Sequence, residues 1–138
     1  MRTFQTIVVT GGAGFIGSNL IRYLLGPAGF QGKVVNLDSL TYAGNLESLA
    51  DIAGSAGAHR YCFERIDIRD AAALGAVFER HAPDAVVHLA AESHVDRSIL
   101  APRDFLDTNV LGTFNLLECA RVAWKDRSDV LFHHVSTD

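Results

Sequence analysis

"TIVVTGGAGFIGSNL", residues 6–20, decides how this chain is read. Residues 6–10 form a short apolar run with β-branched side chains, bounded by glycine, which fits a strand buried on both faces. Glycines then crowd the turn. Gly12, Gly14 and Gly17 fit G-x-G-x-x-G, and Gly11, Gly14 and Gly17 fit G-x-x-G-x-x-G equally well. Both spacings meet the same needs: a tight turn, close approach of a phosphate group to bare backbone, and close packing of helix on strand. From Ile16 the apolar residues change period. Ile16, Leu20 and Leu24 fall on one helical face with Ile21 and Leu25 beside them, and Gly26, Pro27 and Gly29 end the helix. The start of such a helix offers free N–H groups and a positive dipole end to a pyrophosphate.

Moving outward, "KVVNLD" (33–38) reads as the second strand and closes on Asp38. An acid about 20 residues beyond a glycine fingerprint is where a ribose-binding carboxylate belongs. A carboxylate accepts from the ribose 2′-hydroxyl and repels a 2′-phosphate. Ser39 follows and no arginine stands beside it, so the pattern favours NAD over NADP.

The remaining segments keep alternating. "NLESLADIA" reads as a short helix and "GSAGA" as a surface turn. "RYCFERID" (60–67) reads as the third strand. "DAAALGAVFERH" (70–81) is helical, with Asp70 as N-cap and Leu74, Val77 and Phe78 facing inward. "DAVVHLA" (84–90) is the fourth strand, and "AESHVDRSILA" a polar loop. Pro102 suits the first turn of a long helix, because Phe105, Leu106, Val110, Phe114, Leu117 and Arg121 recur at helical spacing. Val130 to Val135 reads as a buried fifth strand. Strands separated by helices imply right-handed crossovers and a parallel sheet. The expected fold class is α/β: one Rossmann-type, doubly wound parallel sheet over residues 1–138, truncated after its fifth strand. Ligands of such sheets bind outside the carboxyl ends of the strands.

Composition excludes several classes of function. The chain has 138 residues, 49% hydrophobic and 20% charged, with net charge −4. That is an ordinary globular balance, and it speaks against nucleic acid as a partner. No apolar run approaches the roughly 18 residues a membrane helix needs, so no membrane partner is expected. "MRTFQTIVV" has one basic residue and no long apolar h-region, so it is not read as a signal peptide, and a cytoplasmic location follows. Cys62 and Cys119 are far apart and read as free core thiols. His133 and His134 are adjacent in a strand and point to opposite faces, so they cannot chelate one ion. His88 reads as a core histidine, and no metal site is expected.

Polar residues collect at two further places. "HLAAESHVDRS" (88–98) leaves the fourth strand at the ligand face with small Ala90 and Ala91, then Glu92, Ser93, His94, Asp96, Arg97 and Ser98. It reads either as a cofactor and substrate loop or as a solvated surface loop. Thr108 and Asn109 interrupt the long helix with polar side chains, to bond a facing loop or to face water. Asp67, at the end of the third strand, reads either as an adenine contact or as a cap for the following helix.

Together, "VTGGAGFIGSNL", "LDSLTYAGNLESL", "DIRD", "HLAAESHVDRSI", "TNVLGTFNLLE" and "HVSTD" resemble the extended short-chain dehydrogenase/reductase superfamily. More narrowly they resemble its dTDP-glucose 4,6-dehydratases, from about Ile7 to Asp138. "LTYAGN" and "AAESHVDRS" carry the narrower likeness. The resemblance implies NAD as cofactor and a nucleotide-sugar, dTDP-glucose, as substrate. It places Gly11, Gly14 and Gly17 at the pyrophosphate, with Phe15 and Ile16 in the same cofactor loop. It places Asp38 at the adenosine ribose, with Leu40, Thr41 and Ala43 near it. Asp67 and Ile68 flank the adenine, Leu89, Ala90 and Ala91 line the cofactor, and Thr108 lies near its pyrophosphate and nicotinamide half. Ser93 and His94 approach the nucleotide-sugar. Thr137 resembles the family's catalytic hydroxyl, and Asp138 the acid that protonates the departing 6-hydroxyl. Position 39, often lysine in the family, is Ser39 here, which bears on how the adenosine is held.

The reaction so implied oxidises C4 of the sugar, eliminates water across C5 and C6, and returns the hydride to C6, leaving a 4-keto-6-deoxy sugar. The family's glutamate base would follow Asp138. Its Y-x-x-x-K pair is absent, because none of Tyr23, Tyr42 and Tyr61 has lysine four residues later. The expectation is therefore an N-terminal, cofactor-binding portion that is inactive alone and homodimeric at full length. An epimerase or decarboxylase acting on a UDP- or GDP-sugar, and a non-catalytic NAD-binding module, are the alternatives.

Overall fold

In a computed structural model of the chain, residues 3–55 and 57–136 are described. Five parallel strands form one sheet in the order β3-β2-β1-β4-β5: β1 Thr6–Thr10, β2 Lys33–Asp38, β3 Tyr61–Arg65, β4 Ala85–His88 and β5 Leu131–His134. Val8 at the centre pairs with Val35 on one side and Val86 on the other. The chain leaves β1 toward β2 and later returns to its other flank with β4. The crossovers therefore diverge at the carboxyl end of β1, which opens a crevice there.

Alternation along the strands feeds two apolar layers. Val8, Val35, Leu37 and Val86 face α3 (Ala71–His81) and α6 (Thr113–Ala123), packing with Leu74, Val77, Phe78, Leu116 and Ala120. Ile7, Val9, Val34 and Ala85 face α1 (Phe15–Leu25), packing with Ile21 and with Leu49, which leads into the short α2 (Ala50–Ala53). Leu74 and Leu116 are fully buried, each worth about 1.5–3 kcal/mol of transfer free energy. The polar groups at the start of the sheet are satisfied. The buried Asp84 carboxylate accepts from the N–H groups of Gln5 and Thr6, and the Trp124 indole N–H donates to the Pro83 carbonyl.

Asp70 caps α3 by accepting from the Ala73 N–H, as its sequence position predicts. Ile16 is 64% exposed, because the first turn of α1 stands above the sheet and only Gly17, Ser18 and Ile21 of the helix are buried. Two expectations need correction. The polar stretch read as a loop contains a helix, α4 (Val95–Leu100), set off by Ala101 from α5 (Pro102–Phe105). β5 is not buried. Three of its four residues are exposed, because it pairs only with β4 and forms the edge of the sheet.

The long helix is continuous from α5 through a π-helical segment, Leu106–Gly112, into α6. Its apolar stripe of Leu106, Val110, Phe114 and Leu117 points outward, while Gly112, Leu116 and Ala120 face the core. Gly112 is needed for that approach, since a Cβ there would lie 2.6 Å from Cγ1 of Ile68. Among the described residues, no helix is long and apolar enough to cross a membrane.

Candidate functional site

A cleft of about 940 Å³ runs across the carboxyl ends of the strands. It is of the size that holds a small organic ligand or cofactor. Gly11, Gly14, Phe15, Ile16, Gly17, Asp38, Thr41, Ala43, Asp67, Ile68, Leu89, Ala90, Ala91, Ser93 and Thr108 all line it. Leu40 and His94 do not. Thr137 and Asp138 lie outside the described residues.

The glycine turn shows which spacing serves the cleft. Gly11 has φ +69°, a left-handed conformation natural to glycine, and its N–H donates to the Leu37 carbonyl. A Cβ on Gly11 would lie 2.9 Å from the Ala90 nitrogen, and one on Gly17 would lie 2.2 Å from the Gly11 carbonyl oxygen. Gly11, Gly14 and Gly17 therefore form the cradle. Gly12 is off the cleft wall and is glycine for another reason. A Cβ there would lie 2.1 Å from Oδ1 of Asn36, which packs beneath the turn. Gly14 is the N-cap of α1 and carries no side-chain cap, and the first turn of the helix holds no acid. Its positive end is left for a ligand in the cleft.

Asp38 sits at the foot of this turn, 8% exposed. Oδ2 accepts from the Ala13 N–H at 2.9 Å, and Oδ1 from the Leu40 N–H at 2.8 Å. Each oxygen keeps further acceptor capacity for a hydroxyl in the cleft. These bonds also explain Leu40. It adopts φ 55° and gives its backbone to Asp38 instead of lending its side chain to the wall.

Asp67 is held by Arg69 through both carboxylate oxygens, with Nη2 at 2.6 Å. Hydrogen bonds from Arg69 hold its carboxyl below the ordinary carboxylate range despite partial burial. Asp67 is not a helix cap, since Asp70 fills that role. Both Asp67 and Arg69 line the cleft, as does the neighbouring Ile68.

Behind the cleft lies a buried polar chain. The Thr10 hydroxyl meets His88 Nδ1 at 2.7 Å, and His88 Nε2 meets the Thr113 hydroxyl at 2.9 Å. The N–H groups of Leu89 and Ala90 both donate to the Thr10 hydroxyl, which fixes the turn out of β4. Asn109 pins the next residues. Its Oδ1 accepts from the Glu92 N–H and its Nδ2 donates to the Glu92 carbonyl. The loop-bonding reading of Asn109 is therefore the one observed, while Thr108 beside it faces the cleft. The π turn presents both residues, and such turns often mark functional sites.

Sequence reasoning did not assign Arg69, Thr113 or His134 to the cleft, which they also line. Arg69 stands in "DIRD" and was legible as a partner for Asp67. Thr113 reaches His88 from beyond the π segment, and the usual helical period does not encode that wider turn. His134 comes into play because β5 lies beside β4, where its ring meets that of His88 at 5.0 Å between centroids.

One group of metal-ligating types occurs among the described residues: Cys62, Glu64 and His81. Both His81 nitrogens and Glu64 Oε1 are already engaged. Lys33 Nζ meets His81 Nδ1 at 3.1 Å, and Arg80 and His81 Nε2 both meet Glu64 Oε1. Two resident cations oppose the entry of a third.

A doubly wound parallel sheet with a glycine cradle and a strand-end acid defines a dinucleotide-binding α/β protein. The chain belongs to the family described as GDP-mannose 4,6 dehydratase, whose model matches residues 8–138. It is 56% identical over 137 residues to a dTDP-glucose 4,6-dehydratase of Shigella flexneri, covering 96% of this chain and 37% of that protein. Among solved structures, the dTDP-glucose 4,6-dehydratase of Streptomyces venezuelae, with NAD bound, matches at 48% identity and a TM-score of 0.77. That match covers 86% of this chain and 36% of the other. A UDP-glucose 4-epimerase from Thermotoga maritima matches at 31% identity and a TM-score of 0.79, covering 96% and 38%. The chain thus spans little more than a third of the length of the curated relatives it matches.

Proposed function

We propose that this chain is the dinucleotide-binding part of a longer NAD-dependent nucleotide-sugar 4,6-dehydratase that converts dTDP-glucose to its 4-keto-6-deoxy product. The observation that carries the reading is Asp38, with each carboxylate oxygen anchored by a backbone N–H at the foot of the glycine cradle. The cradle fits a dinucleotide because Gly11, Gly14 and Gly17, which line it, carry no side chain. Gly11, Gly14 and Gly17 with the open end of α1 hold the pyrophosphate. Asp38 accepts from the adenosine ribose, Asp67 and Ile68 border the adenine, and Leu89 to Ala91 with Thr108 line the remainder. Bound NAD supplies a temporary hydride acceptor for the sugar. Ser93 and His94 lie on the substrate side, and Thr137 and Asp138 act as the catalytic hydroxyl and acid.

The family description and the dehydratase relatives name different nucleotides and sugars but agree on 4,6-dehydration. The dehydratases match at 48% and 56% identity against 31% for the epimerase, which favours dehydration and dTDP-glucose over epimerisation. The outward stripe of Leu106, Val110, Phe114 and Leu117 suits a homodimer interface in the cytoplasmic enzyme.

Calorimetric titration of the intact protein with NAD and NADP, followed by mass analysis of dTDP-glucose after incubation, tests the reading. The expected result is NAD binding at least about tenfold tighter than NADP, loss of that binding in Asp38→Ala, and a product lighter by one water. Unchanged NAD affinity in Asp38→Ala, or an isomeric sugar product, overturns it.

A further inference from the structure

Tyr42 stands in the turn after β2, 52% exposed, between Thr41 and Ala43, which line the cleft. It is not itself on the cleft wall. Its side chain instead crosses to the opposite wall, the segment that follows β4. The hydroxyl donates to Glu92 Oε2 at 3.3 Å, the ring meets His94 edge-on at 5.6 Å, and the guanidinium carbon of Arg97 lies 4.5 Å from the ring centroid. These contacts join residues about fifty positions apart.

Both ends of the bridge are anchored, but differently. On the Tyr42 side, Leu40 N–H is held by Asp38, Gly44 N–H by the Thr41 carbonyl and Asn45 N–H by the Ala13 carbonyl. This turn therefore rests on Asp38 and on the glycine loop. On the far side Asn109 holds Glu92, but no side chain caps α4 at His94, and Val95 and Ile99 are exposed. The far side is the weakly supported one, and segments with few buried contacts open most readily. A ligand that stiffens the Asp38 turn stiffens, through Tyr42, the segment carrying Ser93 and His94.

We infer that Tyr42 is a positioning residue that couples occupancy of the dinucleotide cleft to the ordering of residues 92–98. This rests on the reading of the cleft as an NAD site. Thermodynamic reciprocity then requires that whatever orders residues 92–98 tighten NAD binding by the same factor.

Hydrogen–deuterium exchange of the intact protein, with NAD as probe, tests the coupling. In the wild type, NAD is expected to slow exchange across residues 92–100 by about tenfold, within the range of ordinary coupling factors. In Tyr42→Ala, the slowing at 92–100 is lost, and calorimetric NAD affinity falls by no more than the same factor of about ten. Tyr42→Phe keeps the ring contacts with His94 and Arg97 and retains most of the slowing. Arg97→Met, made on the opposite wall, reproduces the loss without altering the Asp38 turn. Slowing that persists in both Tyr42→Ala and Arg97→Met overturns the coupling while leaving the NAD site intact. Failure of the wild type to bind NAD overturns both.

Discussion

The hydroxyl of Thr10 lies 2.7 Å from Nδ1 of His88, in the buried seam between β1 and β4. The proton positions along this seam follow from the partners. Thr113 donates its only hydroxyl proton to the Asn109 carbonyl, so it must accept at His88. His88 therefore carries its proton on Nε2 and accepts from Thr10 at Nδ1. The Thr10 oxygen has acceptor sites left for the N–H groups of Leu89 and Ala90, and both are used. The neutral imidazole is the form this network requires.

Stability should therefore fall as the protein is acidified. Burial, with the neighbouring His134, pushes His88 down from its ordinary value to about 4. An unfolded chain takes up the histidine proton near pH 6.5, whereas the folded chain resists until about pH 4. Stability from this group is complete above pH 6.5 and drains away between 6.5 and 4, by about 3 kcal/mol in all. Denaturant midpoints measured at pH 7 and pH 4.5 should separate more in the wild type than in His88→Asn. Equal separations would contradict the assignment.

Two glycine substitutions should act in opposite directions. Gly17→Ala forces a methyl to 2.2 Å from the Gly11 carbonyl, a backbone atom that cannot swing away. The expected cost is at least about 1–3 kcal/mol, with loss of NAD binding. Gly75, in the middle of α3, has nothing within 4 Å of its Cβ position. Gly75→Ala should raise stability by about 0.5–1 kcal/mol through helix propensity alone. Thermal melts of both variants, with NAD titration of each, check the pair.

Asn109→Ala should separate loop order from core stability. It removes two hydrogen bonds to the backbone of Glu92, at a cost of about 1–3 kcal/mol. Exchange of the Glu92 and Ser93 amides should rise sharply while that of Val8 and Val35 keeps its rank as slowest. Uniform acceleration across the sheet would instead make Asn109 part of the folding core.

The strands and the cradle were legible because short-range chemistry sets them. The run at residues 6–10, the glycines at 11 to 17 and Asp38 each declare themselves within a few positions. The Asp70 cap and the inward faces of Leu74, Val77 and Phe78 were visible in the same way. What the sequence hid depends on distant partners. That Ile16 begins the apolar stripe of α1 yet stands clear of the core was hidden, because helical period does not say where the sheet stops. The stretch 130–135 looked buried because an apolar run does not reveal how many neighbours a strand has. The contact of Tyr42 with Arg97 joins two separately recognisable motifs, but only the fold places them together.

Arg69→Leu offers a test in which affinity and stability part company. The Arg69–Asp67 pair is partly exposed, so its removal should shift the melting temperature little. The effect on the cleft should be larger. Hydrogen bonds from Arg69 are the main cause of the lowered Asp67 pKa, and burial opposes them. As a lowered carboxylate, Asp67 contributes stability above its unfolded pKa and loses it as pH falls through its folded value. Without the Arg69 guanidinium the backbone N–H of residue 69 still lowers the Asp67 pKa against burial, but the main lowering cause is gone and protonation of Asp67 moves to higher pH. NAD affinity in Arg69→Leu should therefore weaken earlier on acidification than in the wild type, and should be several-fold lower at pH 7 because the carboxylate is no longer held in place. Titrations at pH 7 and pH 5 on both proteins decide it. Parallel pH profiles would mean that Asp67 does not reach the ligand.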